Sequence, residues 1–396
     1  MSRISGLERK YVSEVLDSGF RTSKGGEFMK RLEEAFANKF NCTNAVSFTN
    51  GTATMHACLE AWGVGIGDEV IVPPLTMSST SFAVLQANAI PIFADVDPDT
   101  FNIDPNSIRE KISEKTKAII TVSLYGLCPD YDEIKKVIGN RDIKLLEDNA
   151  ECFLGYYKNK VVGSIGDASS FSFQSSKHLT AGEGGMVTTN NEDFAINLRR
   201  VQSLGYIGVG KNAKIKKSDI QDPSYFRHGS LGWNYRMPEL CAAVALAQTE
   251  RIEELVASRI RTAEIYADAI TGYEKFITPQ KSGPDYVNSY WTWVCKIYDP
   301  ELWHDFKEHF MALGGQSFYS AWKLSYQEPF MRDPNLLGRE SFIPNEVLDS
   351  YRTNLCPVAE DLQVRLMQFK TNFYDKSEAD KQAEILNKTC SDIFGS

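Results

Sequence analysis

AVSFTNGTATMHACLEAWG, residues 45–63, sets a short apolar run, a turn of small residues and a helix-like stretch in immediate succession. The order recurs downstream. EVIVPPLT (69–76), PIFADV (91–96), AIITVSLYG (118–126) and IKLLED (143–148) each read as a buried strand that ends in a turn or a polar residue. Helix-like stretches such as SIREKISEK (107–115) lie between them. Alternation of this kind predicts an α/β fold with a mostly parallel central sheet sandwiched by helices. In such sheets ligands bind at the carboxyl ends of the strands, where Asn50, Thr76 and Asp148 fall.

Around this centre the chain reads as two units. MKRLEEAFANKF (29–40) puts Met29, Leu32, Phe36 and Phe40 on one helical face. PELCAAVALAQTERIEELVASRIRTAEIYADAI (238–270) reads as one long helix or two joined ones, leading out of a large domain. The expected division is a large domain over residues 1–250, with an N-terminal helix able to pack on the smaller unit, and a small α+β domain over 251–396. The polar, aperiodic stretch 211–230 is expected to be a surface loop, long enough to suggest a function or a partner contact.

Composition narrows the class. At 396 residues, with 42% hydrophobic and 24% charged residues, the chain is long enough for two cores. A formal charge of −9 and the lack of a basic, aromatic-spaced stripe argue against nucleic acid. No apolar run approaches the length of a membrane span, and MSRISGLERKYVSEVL is charged throughout, unlike a signal peptide. The eight cysteines are scattered without a CxxC pair and the five histidines are dispersed, so neither a zinc site nor a disulfide framework is expected, and the cytoplasm is the expected location.

Three local features could carry chemistry. In NGTATMHACLEAW, Gly51, Thr52 and Ala53 sit where a strand hands over to a helix, so backbone N–H groups and the helix dipole can face an anion. An ordinary N-cap turn has the same appearance. LLEDNAEC (145–152) ends a strand on Glu147 and Asp148; such an acid can hold a proton on a ring nitrogen, act as a base or simply cap a helix. GDASSFSFQSSKHLTAGEGGMVTT (166–189) holds Lys177 between two strand-like runs, where a partly desolvated amine can attack a carbonyl, although a solvated hairpin lysine fits as well. In order, these give a phosphate cradle, a strand-end acid, and a lysine 29 positions later with a serine hydroxyl five before it. Pyridoxal phosphate needs that set.

GDEVIVPPLT, ANAIPIFADVDPDTFNID, LLEDNAE, SFSFQSSKHLTAGEGGMVTTN, GWNYRMPELCAA and CPVAEDL follow one another over nearly the whole chain. In this order they resemble the DegT/DnrJ/EryC1/StrS family of sugar aminotransferases, which have the fold-type I architecture of aspartate aminotransferase. The resemblance implies that Lys177 condenses with pyridoxal 5′-phosphate and that Asp148 pairs with its ring nitrogen. It implies that the Thr52 and Ala53 backbone, with Gly51 beside it and the Ser172 hydroxyl, holds the phosphate. It implies further that Met77 covers one ring face, that Glu151 approaches the other, and that Asn234 reaches the phosphate of a neighbouring subunit in a homodimer. The amino donor implied is L-glutamate, the acceptor a nucleotide-linked keto-sugar used in surface-polysaccharide or antibiotic-sugar synthesis, and pyridoxamine phosphate is the form between the two halves of the reaction. Met77 departs from the family's usual aromatic residue, Glu151 from its Gln or His, and Ser325, in KLSYQEPF, from its histidine.

A branch of the family replaces the lysine by histidine and dehydrates instead. Position 177 is five after Ser172 and five before Gly182, so both rulers select the lysine and leave His178 one step out of register. Transamination is therefore expected over dehydration. A small phosphorylated ketone or a free keto-sugar is the alternative acceptor, with Arg227, His228 and Lys323 as candidate basic groups. A non-catalytic cofactor-binding regulator is the reading outside enzymes, and it lacks the DNA-binding helix pair it would need.

Overall fold

The protein is described from a computed structural model that covers residues 2–20, 26–209, 217–332 and 342–395. Residues 211–216 of the expected surface loop lie outside that range. Seven strands form the central sheet: β1 (Asn44–Phe48), β2 (Glu69–Val72), β3 (Ile90–Phe93), β4 (Thr116–Val122), β5 (Lys144–Asp148), β6 (Ala168–Ser172) and β7 (Gly185–Thr189). Their spatial order is β1-β7-β6-β5-β4-β2-β3. Neighbours pair in parallel from β3 through β6, whereas β7 runs antiparallel to both β6 and β1. The segment between β6 and β7 holds no helix, so the chain turns back instead of crossing over, and the reversed strand follows. Every residue of β1, β6 and β7 is buried, as sheets covered on both faces require.

Helix α1 (Gly6–Asp17) opens with a capping box between Ser5 and Glu8. Helix α2 (Glu27–Lys39) buries Met29, Leu32 and Phe36. Behind the sheet Phe36, Phe40, Phe153, Phe171 and Phe173 form one aromatic cluster; the Phe36–Phe40 and Phe40–Phe171 ring centroids are 4.4 and 4.6 Å apart. Helix α3 (Gly51–Ala61) follows β1 directly, with the order strand, turn, helix that opens the sequence reading. The 238–270 segment is two helices, α4 (Glu239–Thr249) and α5 (Ile252–Ala269), and α1 packs along α4. Buried Glu8 meets Arg251 at 3.3 Å and Gln248 by a hydrogen bond, tying α1 to the break between them.

A second, fully antiparallel sheet has the order β8-β9-β11-β10, from β8 (Ile277–Pro279), β9 (Thr292–Ile297), β10 (Tyr319–Ser320) and β11 (Leu366–Lys370). Helices α5 and α6 (Lys376–Phe394) cover it over a core that includes Tyr266, Trp293, Phe306, Phe310, Phe369 and Leu386. The segment joining β10 to β11 packs Leu324, Tyr326, Met331 and Tyr351 into the core of the large sheet. No described helix is long and apolar enough to cross a membrane.

Candidate active site

The helix start after β1 is built for close approach. Asn50 is extended and caps α3, accepting from the Ala53 N–H at 2.8 Å. That bond engages Ala53, so the first-turn amides left to meet an anion are those of Gly51 and Thr52. A side chain on Gly51 would bring its Cβ to 2.9 Å from Cβ of Ser172, and one on Gly185 would meet the Asn50 carbonyl at 2.7 Å. Glycine at both positions lets β6, β7 and the α3 N-terminus converge. Ser172, directly across from Gly185, thereby carries its hydroxyl to the mouth of the helix.

The two acids that end β5 do different work because successive residues of a strand face opposite sides. Glu147 is fully buried and accepts from the N–H groups of Gly163 (2.8 Å), Ile165 (2.8 Å) and Gly166 (2.7 Å) and from the Asn149 amide (3.2 Å). It organises the turn that leads into β6. Asp148, 3% exposed, faces the other way and accepts from Thr80 Oγ1 at 3.0 Å and the Ala150 N–H at 3.2 Å. It forms no ion pair among the described residues. Burial pushes its carboxyl above the ordinary range, while the bonds from Ala150 and Thr80 and the charge of Lys177 pull it back. An acid in that condition gains most from a positively charged or proton-bearing partner.

Lys177 lies in the connection between β6 and β7. Its side chain is 12% exposed; its Nζ lies 3.4 Å from Glu151 Oε1 and 4.1 Å above the centre of the Trp291 ring. Glu151 is itself buried, with Oε2 accepting from the Tyr125 N–H at 2.9 Å, and burial raises its pKa against the pull of Lys177. Tyr125 takes a left-handed backbone (φ 61°) to present that N–H, and its hydroxyl is buried and unpartnered. Tyr125 and Trp291 both stack against Trp322, at 6.4 and 5.8 Å. The amine thus stands against an aromatic wall that limits water. Two nucleophile-bearing or acid-bearing strand ends, a cradle of amides and a walled lysine can together hold a phosphate-bearing aldehyde and exchange its carbonyl for an amine.

His178 points away from this group. It is buried against Phe153, its Nε2 lies 3.0 Å from the Ser289 carbonyl, and burial, reinforced by Arg259, holds its pKa well below that of a free imidazole. Met77 is 50% exposed on the turn three residues before Thr80. Asn234 is exposed and bridges to Ser203, outside the cluster around Lys177. Ser325 is fully buried, its N–H donating to Pro74, with its hydroxyl unpartnered. Arg227, His228 and Lys323 are exposed; the first two bond the carbonyls of Ile220 and Leu204. Sequence reasoning passed over Thr80, Tyr125, Trp291, Trp322 and Arg259. Tyr125 and Thr80 follow strand ends and could have been found by that rule, whereas the two tryptophans come from distant loops with no spacing to betray them.

With this geometry in hand, comparison with known proteins is specific. The model of the DegT/DnrJ/EryC1/StrS aminotransferase family matches residues 3–339. A GDP-perosamine synthase of Escherichia coli O157:H7 is 36% identical over 288 residues, 73% of this chain and 74% of that protein. The spore coat polysaccharide biosynthesis protein SpsC of Bacillus subtilis is 37% identical over 272 residues, 69% of this chain and 68% of SpsC. The crystal structure of an aminotransferase from Psychrobacter cryohalolentis superposes with a TM-score of 0.84 at 27% identity, covering 99% of this chain and 97% of that one.

Proposed function

This chain belongs to the DegT/DnrJ/EryC1/StrS aminotransferase family, and we propose that it transfers the amino group of L-glutamate to a nucleotide-linked keto-sugar. The product would serve surface-polysaccharide synthesis, in keeping with the two bacterial relatives. The observation that carries the reading is Lys177, walled by Trp291 and held beside Glu151, within the loop that leaves the Ser172 cradle.

Pyridoxal 5′-phosphate fits the residues present. The cradle is one that a Cβ on Gly51 would invade, and Asp148 is a buried carboxylate with no ion pair among the described residues. Gly51 and Thr52 amides with the Ser172 hydroxyl would hold the phosphate, and Asp148, oriented by Thr80, would hold the ring N–H. When bound, the cofactor supplies an aldehyde for an amine and a ring that accepts electrons from the carbon bearing the amino group. Lys177 would then be the base that takes the proton from that carbon. Glu151, 3.4 Å from the amine, would hold it in place, while Tyr125, Trp291 and Trp322 would keep out water that competes for the proton. Met77, at the turn before Thr80, would lie over one face of the ring as a thioether contact.

Residues 1–250 and 251–396 would act as the two domains of a cytoplasmic homodimer. Exposed Phe226, Leu231 and Trp233 around exposed Asn234 support an interface there, from which Asn234 would reach the neighbouring cradle. The test is to load the enzyme with pyridoxamine phosphate and offer it candidate keto-compounds. Return of the visible absorbance of lysine-bound cofactor with a nucleotide-linked keto-sugar supports the proposal. Return only with a small phosphorylated ketone or a free keto-sugar would overturn the acceptor.

A further inference from the structure

Arg259, on the inward face of α5, is 3% exposed, and no carboxylate among the described residues pairs with it. Its Nη1 donates to the Trp291 carbonyl at 2.6 Å and to Thr371 Oγ1 at 3.1 Å. Its Nη2 donates to the carbonyls of Ser176 at 2.9 Å and Lys177 at 3.0 Å. Three pieces of chain therefore meet on one guanidinium: the lysine loop, the entry to β9 and the exit from β11. The same atoms are cross-tied, since Trp291 Nε1 donates to Ser176 O at 3.0 Å and Thr371 Oγ1 to Trp291 O at 2.8 Å. Arg3 donates to the next carbonyl back, that of Ser175.

Burying a guanidinium among neutral acceptors is a poor way to gain stability, because desolvation of the charge offsets most of what the bonds return, and an apolar side chain would fill the space as well. What the planar fork supplies is geometry. It holds the Ser176 and Lys177 carbonyls through Nη2 and the Trp291 carbonyl and Thr371 hydroxyl through Nη1 in one rigid plane, which a single nitrogen on a flexible stem cannot do. With the Lys177 carbonyl fixed, the direction of its Cα–Cβ bond is fixed. The same group anchors the backbone of Trp291, whose ring lies 4.1 Å under the amine. We propose that Arg259 is the positioning residue of the reaction, holding the Lys177 amine in register with Glu151 and Trp291 and so setting the rate of proton transfer rather than the binding of substrate. This rests on Lys177 being the lysine that engages the cofactor.

The test uses cofactor-loaded full-length enzyme with Arg259→Met and Arg259→Lys. Displacement of a reacting group by about 1 Å costs on the order of 10²-fold in rate, so Arg259→Met is expected to lower kcat by roughly that factor while KM for the donor moves less than about threefold. The pH midpoint of the visible absorbance of lysine-bound cofactor is expected to shift, a readout that a purely structural staple leaves in place. Arg259→Lys keeps the charge without the fork, and an intermediate kcat with a shifted midpoint is expected; it also serves if the methionine variant does not fold. Folded variants with wild-type kcat and an unmoved midpoint, even at a lowered melting temperature, would overturn the proposal. Lys177→Ala separates the two ideas: persistence of the lysine-bound absorbance in that variant would sink the lysine assignment itself.

Discussion

Glu147 and Asp148 are neighbouring carboxylates on one strand, and changing each to its amide should have opposite consequences. In Glu147→Gln, whichever way the amide is set, its NH2 faces at least one backbone N–H that the carboxylate oxygen had accepted. Charge-assisted bonds are worth about 1.5–3 kcal/mol each, and an orphaned buried N–H costs a further 1–3 kcal/mol, so a loss of about 3–5 kcal/mol in stability is expected. Asp148→Asn can turn its oxygen to Ala150 N–H and its NH2 to Thr80 Oγ1, keeping both contacts without an isolated buried charge. Its stability should equal or exceed that of the wild type. The pH dependence carries a sign. The Asp148 pKa is raised on folding, so between the ordinary carboxylate range and its folded value the native state binds more protons than the unfolded one. Wild-type stability from this group therefore falls as pH rises through that window, and the advantage of Asp148→Asn should be absent below it and full above it. The assay is urea unfolding of the cofactor-free proteins at several pH values, alongside kcat of the loaded ones. For Asp148→Asn kcat should drop on the order of 10²-fold or more, since a preorganised charge is lost where charge develops. A destabilised Asp148→Asn that keeps wild-type kcat would refute the division of labour between the two acids.

Gly51→Ala should push Ser172 away from the α3 N-terminus and weaken cofactor binding by about tenfold, or 1.4 kcal/mol, in equilibrium dialysis, with little change in the folded circular dichroism spectrum. His178→Gln should leave kcat within about threefold, because the imidazole faces Ser289 and Phe153 rather than the amine. Its depressed pKa means that the unfolded chain binds a proton below about pH 6.5 that the native chain refuses; wild-type stability is thus lost on acidification, and the variant should gain on the wild type as pH falls. If Asn234 completes the neighbouring site, mixing inactive Lys177→Ala with inactive Asn234→Asp should restore about a quarter of the sites in randomly exchanged dimers. No recovery after verified subunit exchange would place both residues in one subunit's site.

The strand–turn–helix order made the central sheet legible, because each buried strand is a short apolar run and each ends on a turn or polar residue. The reversal of β7 was not legible: MVTT has the same composition whichever way it runs, and direction is set by the length and path of the preceding loop. The places of Ser172 and Asp148 at strand ends, and of Lys177 in the connection between two strands, could be read because apolar runs and glycines mark them. The Ala53 amide was expected to face the phosphate, and the Asn50 side chain occupies it instead, a competition between cap and ligand that one-dimensional spacing does not reveal. The aromatic wall and Arg259 were invisible for a different reason. Trp291 and Arg259 meet Lys177, and Trp322 backs Trp291, from sequence separations of 82 to 145 residues, so only the tertiary packing of α5 and the second sheet brings them there.

The most direct measurement is chemical. Borohydride reduction of the cofactor-loaded enzyme, followed by peptide mapping, should find the cofactor attached to Lys177, within SFQSSKHLTAGEGG, and to no other residue. Attachment at a different lysine, or no covalent attachment in enzyme that transaminates at full rate, would contradict the account.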